Sequence, residues 1–275
     1  MKNDTVVAKL AELERLLSAI GDIAVAVSGG VDSLTLAHVV HRCAGRRAQM
    51  FHAVSPAVPK EASARVEAAA AKSGWDLLVV DAGEFERTEY VANPVNRCFY
   101  CKTSLYSAIK RGTAAQVVSG TNLDDLDEYR PGLAAAAEYA VRHPFVEAGI
   151  NKQLVRQMAR HLGLGEIAEL PAAPCLSSRI ETGIAIDPRT LALVHASEQL
   201  IGRAVETKTV RCRVRGEGIV IELDSTTLSS LASNQADFLA AEIGGMFARA
   251  GFAHSVRFAP YRIGSAFLTK RDEHT

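Results

Sequence analysis

Ser28-Gly29-Gly30-Val31-Asp32-Ser33 stands between an apolar run of strand type at residues 22–28 and a helical pattern at residues 33–42. Working outward, further strand-type runs fall at residues 49–54, 77–81 and 116–119, with helical patterns at 60–73 and 102–110 between them. Alternation of strand and helix predicts parallel strands joined by crossovers, a doubly wound α/β domain. In such a fold a glycine-rich turn from the first strand into a helix lets the backbone approach an anion. The helix N-terminus supplies unpaired N–H groups and the positive end of the dipole. The loop lacks the Lys and the glycine spacing of a P-loop, and it is not G-x-G-x-x-G. Asp32 beside a phosphate is repulsive unless a divalent cation lies between them, which points to Mg²⁺. The plainer reading is a glycine turn with a Ser or Asp cap.

The chain has 275 residues, enough for one large domain or two modest ones, and is 48% hydrophobic and 23% charged. Those values suit a globular protein and exclude disorder for most of the chain. Lys plus Arg and Asp plus Glu each number 31, so no global field draws the protein to nucleic acid or anionic lipid. The longest apolar runs, such as residues 23–27 and 133–137, are far shorter than the ~20 residues of a membrane span. Residues 1–20 read as an amphipathic helix with Leu10, Leu13, Leu17 and Ile20 on one face, and not as a cleaved leader; a cytoplasmic location is expected. Five cysteines, an odd number, argue for reduced thiols over a disulfide framework.

After a helix at residues 152–163, the Pro-rich segment 171–183 reads as a loop, and the domain boundary is expected at residues 187–188. Residues 1–187 then form the α/β domain, and 188–275 a small α+β domain. The latter has helices at 190–201 and 235–250 and strands at 209–215, 218–223 and 254–259. The first two of these strands are joined through Gly216 and Glu217, a compact hairpin with a residue able to take positive φ. Alanine-rich stretches at 68–71 and 134–137 read as helical packing surfaces.

Three further constellations carry chemistry. Ser119-Gly120-Thr121-Asn122-Leu123-Asp124-Asp125 follows the fourth strand, where ligands of open α/β sheets bind; alone it could equally be an Asx-rich turn. Cys98-Phe99-Tyr100-Cys101 is a C-x-x-C pair, and Cys175 lies in Pro174-Cys175-Leu176-Ser177-Ser178-Arg179. Such thiols suit a redox pair, a zinc site completed by a His such as His143 or His161, or an iron–sulfur site. Cys43 and Cys212 read as buried apolar thiols. Arg211 and Arg213 flank Cys212 on one strand and share a face, which suits a phosphate; the competing reading is a solvated basic edge strand.

S-G-G-x-D-S between strand and helix resembles the pyrophosphate-gripping loop of the PP-loop ATPases, which cleave ATP to AMP and pyrophosphate. The resemblance implies that Ser28, Gly29, Gly30, Asp32 and Ser33 hold the pyrophosphate portion. It implies an adenine-side contact near Val54 and Ser55, and a polar contribution from Thr121, Asn122 and Asp125. Asn96-Arg97-Cys98-Phe99-Tyr100-Cys101-Lys102, Gly120 to Asp125, Tyr129-Arg130-Pro131-Gly132 and Pro174 to Arg179 together resemble the LarE family of ATP-dependent sulfur transferases, over essentially the whole chain.

Family members adenylylate a carboxylate of pyridinium-3,5-biscarboxylic acid mononucleotide and replace its oxygen with sulfur, a step toward the nickel-pincer nucleotide cofactor. Some sacrifice the cysteine matching Cys175, which becomes dehydroalanine. Others hold a [4Fe–4S] cluster on three thiolates, which match Cys98, Cys101 and Cys175, and use an iron without a protein ligand to present sulfide. By that resemblance the cofactors are ATP, Mg²⁺ and the cluster, Arg211 and Arg213 bind the substrate phosphate, and Arg179 faces the site. The partners are a small-molecule nucleotide, a sulfur donor system and further copies in a homo-oligomer, with neither membrane nor nucleic acid. Tyr261-Arg262-Ile263-Gly264-Ser265 departs from the family, with Ile263 where Ser is expected, which puts the C-terminal substrate contacts in doubt. The competing classes are PP-loop tRNA thiolation, disfavoured by zero net charge, and an amidating ligase such as an NAD synthetase, which gives the three cysteines no role.

Overall fold

A computed structural model describes residues 2–127, 129–252, 255–262 and 264–265. The chain divides into two compact units. One is Met1–Glu84 with Cys98–Ala173, and the other is Phe85–Arg97 with Pro174–Thr275. The point between residues 187 and 188 falls inside the second unit, where the Asp187 carboxylate caps the Pro188–Ala204 helix by accepting from Thr190 N.

The first unit is built on a parallel sheet of β1 (Ile23–Ala26), β2 (Ala48–Val54), β3 (Asp76–Asp81) and β4 (Gln116–Ser119), in the order β3-β2-β1-β4. Side chains alternate across it, and both faces are covered. On one face Ile23 and Val25 meet Leu13, Leu17, Leu34 and Phe145; on the other Ala24 and Val117 meet Phe51, Tyr106 and Ile109. The first helix, Lys2–Ser18, buries Leu10, Leu13 and Leu17 as its periodicity requires. The chain runs from β1 outward through β2 to β3 and returns to β4 on the other side of β1. The carboxyl ends of β1 and β4 therefore form the topological switch point at which ligands of open sheets bind.

The helix expected from residue 102 begins earlier, as Arg97–Gly112, so Cys98 and Cys101 lie in its first turn instead of before it. Cys, Phe and Tyr are indifferent helix formers, and their composition hid the extra turn.

In the second unit β5 (Val210–Arg215) pairs antiparallel with β6 (Gly218–Leu223), and β7 (Val256–Pro260) pairs parallel to β6. Every residue of β6 is buried, beneath the Pro188–Ala204 and Ser233–Arg249 helices that contribute Leu191, Val194, Ile201, Ile243 and Phe247. The positive-φ glycine of this hairpin is not Gly216 in the turn but Gly218 (φ 133°), the first residue of β6. His254, the expected first residue of the last strand, and Ile263 lie outside the described residues. No described helix is long and apolar enough to cross a membrane.

Candidate functional site

The loop after β1 feeds a helix, Val31–Ala44, whose N-cap is Gly30 and whose first turn receives no hydrogen bond from a capping side chain. Four N–H groups open every helix without an intrahelical partner, so this end is a ready anion seat. Its shape is fixed from within: Ser33 Oγ accepts from Ser28 N at 3.1 Å, lies 3.1 Å from Ser28 Oγ and donates to Gly30 O at 3.2 Å. It is also fixed from the Lys60–Ser73 helix. Arg65 Nε donates to Gly29 O at 3.1 Å, and the buried His52 ring spans Val27 O (2.8 Å) and Ser63 Oγ (2.9 Å). Because Val27 O can only accept, Nδ1 of His52 donates to it.

Gly29 adopts φ 81°, and a Cβ there would come within 2.6 Å of Ala62 O. Gly120 sits at the matching end of β4, where an added Cβ would be 2.8 Å from Ser33 N. These close approaches explain why the two segments carry glycine. Gly120→Ala is expected to cost about 1–3 kcal/mol of stability through overpacking against Ser33 N, which a thermal melt checks.

Asp32 meets residues from two other segments. Asn122 Nδ2 donates to its Oδ1 at 3.3 Å, and the Lys152 ammonium forms an ion pair with its Oδ2. Lys152 begins the helix Lys152–His161, capped by Asn151, and its backbone N donates to Asp124 Oδ2 at 3.3 Å. Lys152 was not among the residues singled out from sequence. A lysine directly after an Asn N-cap, at the start of an amphipathic helix, carries no local mark that separates it from a solvated one. Asn122 and Asp125 are tied to each other in a capping box over Leu123–Leu126, and the Asp125 carboxylate pairs with Arg130 at 2.8 Å. Their first task is thus to shape the loop after β4. Thr121 Oγ1 is 3.0 Å from Ser119 Oγ, which is 2.9 Å from His143 Nδ1. Burial holds the His143 pKa below the ordinary histidine range. Val54 and Ser55 lie half-buried at the carboxyl end of β2, and Ser55 Oγ accepts from Ala57 N. The structure therefore brings Ser28, Gly29, Gly30, Asp32, Ser33 and Asn122 together with Lys152 at the switch point. One carboxylate suits Mg²⁺, which is commonly held by one or two carboxylates and the substrate's own phosphates.

The cysteines separate by exposure. Cys175 is exposed, Cys98 and Cys101 are half-buried in the first turn of their helix, and Cys212 is buried. Burial pushes the Cys43 and Cys212 thiols above their usual range, far above for Cys212, consistent with inert packing groups. Thiolates are the donors an iron–sulfur centre takes; Cys98 and Cys101 belong to the first unit and Cys175 to the second. Among the described residues no group of three or more His, Cys, Asp or Glu side chains stands ready to hold a metal ion.

In the second unit the segment that carries Cys175 is anchored by buried polar groups. Ser177 Oγ is 2.6 Å from the buried Tyr90 hydroxyl. Asn93, held at φ 54°, donates to Glu181 O (2.8 Å) and Ile184 O (2.9 Å) and accepts from Arg97 Nη1 at 2.7 Å. Those bonds place residues 85–97 in this unit. Arg213 is buried; it pairs with Glu222 at 2.9 Å and donates to Ser178 O at 2.9 Å. Glu222 also accepts from Arg215 and Ser265. The solvated edge reading of Arg211 and Arg213 is therefore wrong for Arg213. Arg211 lies over the Tyr261 ring at 5.8 Å, and burial, then the neighbouring Arg179 charge, lower its pKa. A bound anion would offset both effects. Arg179, expected to face the site, is 3% exposed and turned toward Glu198.

A parallel sheet with a glycine–serine loop at its switch point, together with a separate small mixed-sheet domain, defines a PP-loop-like α/β protein. The chain belongs to the same family as the "Uncharacterized protein slr1717" of Synechocystis, to which it is 37% identical over 199 residues, 71% of this chain and 74% of that protein. It is also 26% identical over 206 residues to the "Uncharacterized protein MJ0830" of Methanocaldococcus jannaschii, 74% of this chain and 77% of that one. A third relative, from Lactiplantibacillus plantarum, is named pyridinium-3,5-bisthiocarboxylic acid mononucleotide synthase; it is 29% identical over 228 residues, 81% of this chain and 79% of that protein. No family model matches the chain.

Proposed function

We propose that this protein is an ATP-dependent sulfur transferase of the LarE type. It adenylylates a carboxylate of pyridinium-3,5-biscarboxylic acid mononucleotide, releases pyrophosphate, and exchanges the activated oxygen for sulfur. The L. plantarum relative's name supports this acceptor. The observation that carries the reading is the uncapped helix end behind Ser28–Ser33 with Asp32 and Lys152 at its mouth. It offers N–H groups and an ammonium for the leaving pyrophosphate, and a carboxylate for Mg²⁺.

In the first step a carboxylate oxygen attacks the α-phosphorus of ATP and the bond to the β-phosphate oxygen breaks. Without ATP, Lys152 neutralises Asp32. With Mg²⁺-ATP bound, Asp32 would hold the cation and Lys152 the phosphates, so neither charge would be left unpaired in either state. In the second step sulfur attacks the acyl carbon, and AMP leaves with the original carboxylate oxygen. Cys98, Cys101 and Cys175 are the residues proposed to hold a [4Fe–4S] cluster, which when bound supplies a nucleophilic sulfide. Sacrifice of Cys175 itself is the second reading, favoured by its exposure, which exceeds that of the other four thiols. Arg211 and Arg213 are proposed to bind the substrate phosphate, Arg211 directly and Arg213 through its hold on the same strand. The nucleotide products test the reading: AMP and pyrophosphate are expected on addition of acceptor, whereas ADP and phosphate would overturn the assignment of the Ser28–Ser33 loop.

A further inference from the structure

We infer that Arg179, paired with Glu198, is a positioning residue that fixes the backbone beneath the Cys175 thiol, and is not a ligand of the substrate. This rests on the sulfur-transfer reading, which gives that thiol its task. The Cys175 carbonyl accepts three hydrogen bonds, from Ser178 N (3.0 Å), Ser178 Oγ (2.7 Å) and Arg179 Nη1 (3.1 Å). Arg179 Nη1 also donates to Pro174 O at 2.6 Å, so one guanidinium nitrogen holds the carbonyls on both sides of the Cys175 amide. The rest of the fork is committed inward. Nε and Nη2 donate to the two Glu198 oxygens at 2.9 and 3.0 Å, and Glu198 Oε1 accepts from Cys212 N at 2.9 Å.

The loop carrying the thiol is thereby bolted, through Arg179 and Glu198, to the backbone of β5. Residues 176–180, directly after the thiol, are all buried, with Leu176 3% exposed, whereas Cys175 is exposed together with residues 171–174 before it. A phosphate could engage Arg179 only by displacing a bidentate carboxylate and two carbonyls, each a charge-assisted bond in a dry site. Presentation of an exposed sulfur on an immobile backbone is what a transfer step needs, since a displacement of about 1 Å from productive geometry costs on the order of 100-fold in rate.

Truncating either side chain of a buried ion pair leaves a void as well as an unpaired charge, so the test uses the isosteric Glu198→Gln, which retains an acceptor for Cys212 N–H, and the charge-conserving Arg179→Lys. Three quantities are read for the full-length protein. They are amide hydrogen exchange at Ser178 and Ile180, affinity for pyridinium-3,5-biscarboxylic acid mononucleotide, and the rates of pyrophosphate release and of sulfur transfer. Exchange at the two amides should quicken roughly tenfold and sulfur transfer should fall roughly 10- to 100-fold. Acceptor affinity and pyrophosphate release should stay within about twofold of wild type. A tenfold loss of acceptor affinity in either variant, or amide exchange unchanged from wild type, overturns the assignment; if Arg179→Lys does not fold, Glu198→Gln decides it. Failure of the functional reading looks different: wild type itself would transfer no sulfur, while the exchange comparison would still judge the clamp.

Discussion

Lys152→Ala is expected to lower acceptor-dependent release of pyrophosphate from ATP by on the order of 100- to 1000-fold, the usual cost of removing a charge aimed at a developing anion. Asp32→Asn should have an effect of similar size through lost Mg²⁺, with both variants folded. The pairing of the two residues leads to a sharper expectation. If Lys152 neutralises Asp32 before ATP arrives and the phosphates afterwards, each single variant leaves one buried or half-buried charge without its partner. The double variant should then be no slower than the slower single one, because the two act as a unit. Quenched-flow measurement of AMP and pyrophosphate for the three variants checks this. Independent, multiplicative losses would mean that the ion pair is incidental.

The second large effect falls on sulfur and spares ATP. Cys175→Ser should abolish thiocarboxylate formation while exchange of labelled pyrophosphate into ATP continues, since the thiol acts only after adenylylation. Cys98→Ala and Cys101→Ala separate the two sulfur routes. Under the cluster reading each removes the brown chromophore of anaerobically prepared protein together with activity. Under the sacrificial reading each leaves one transfer per chain, and intact mass reports the loss of H₂S at residue 175. Cys212, sealed beneath its sheet, should tolerate Ala without effect on either step.

The parallel sheet and the phosphate loop were legible because their signals are local. A strand, two glycines and a helix start lie within a dozen residues, and short apolar runs marked the strands of the parallel sheet. Lys152 was not legible, because its partner Asp32 lies 120 residues away and nothing local distinguishes it from a solvated helix lysine. Residues 85–97 were placed with the first unit for the same reason. What ties them to the second is the buried Tyr90 hydroxyl beside Ser177, together with a buried Asn, in a left-handed conformation that Asn tolerates better than most residues, reaching carbonyls 88 and 91 residues on. Arg179 shows the converse. Its type and spacing from Cys175 suggested a ligand, but a guanidinium serves a carboxylate as readily as a phosphate, and Glu198 on the next helix already fills the fork. Arg213 was likewise drawn inward by Glu222, leaving Arg211 as the guanidinium of that strand whose charge its surroundings disfavour.

The chemistry at the centre of this account is attachment of a carboxylate oxygen to the α-phosphorus before sulfur arrives, so that AMP carries that oxygen away when sulfur displaces it. Acceptor carrying ¹⁸O in its carboxylates, incubated with ATP, Mg²⁺ and the protein, tests it in one mass spectrum. The account predicts one ¹⁸O in the AMP released for each thiocarboxylate formed, and none in pyrophosphate. Unlabelled AMP, or label recovered in inorganic phosphate beside ADP, would contradict it.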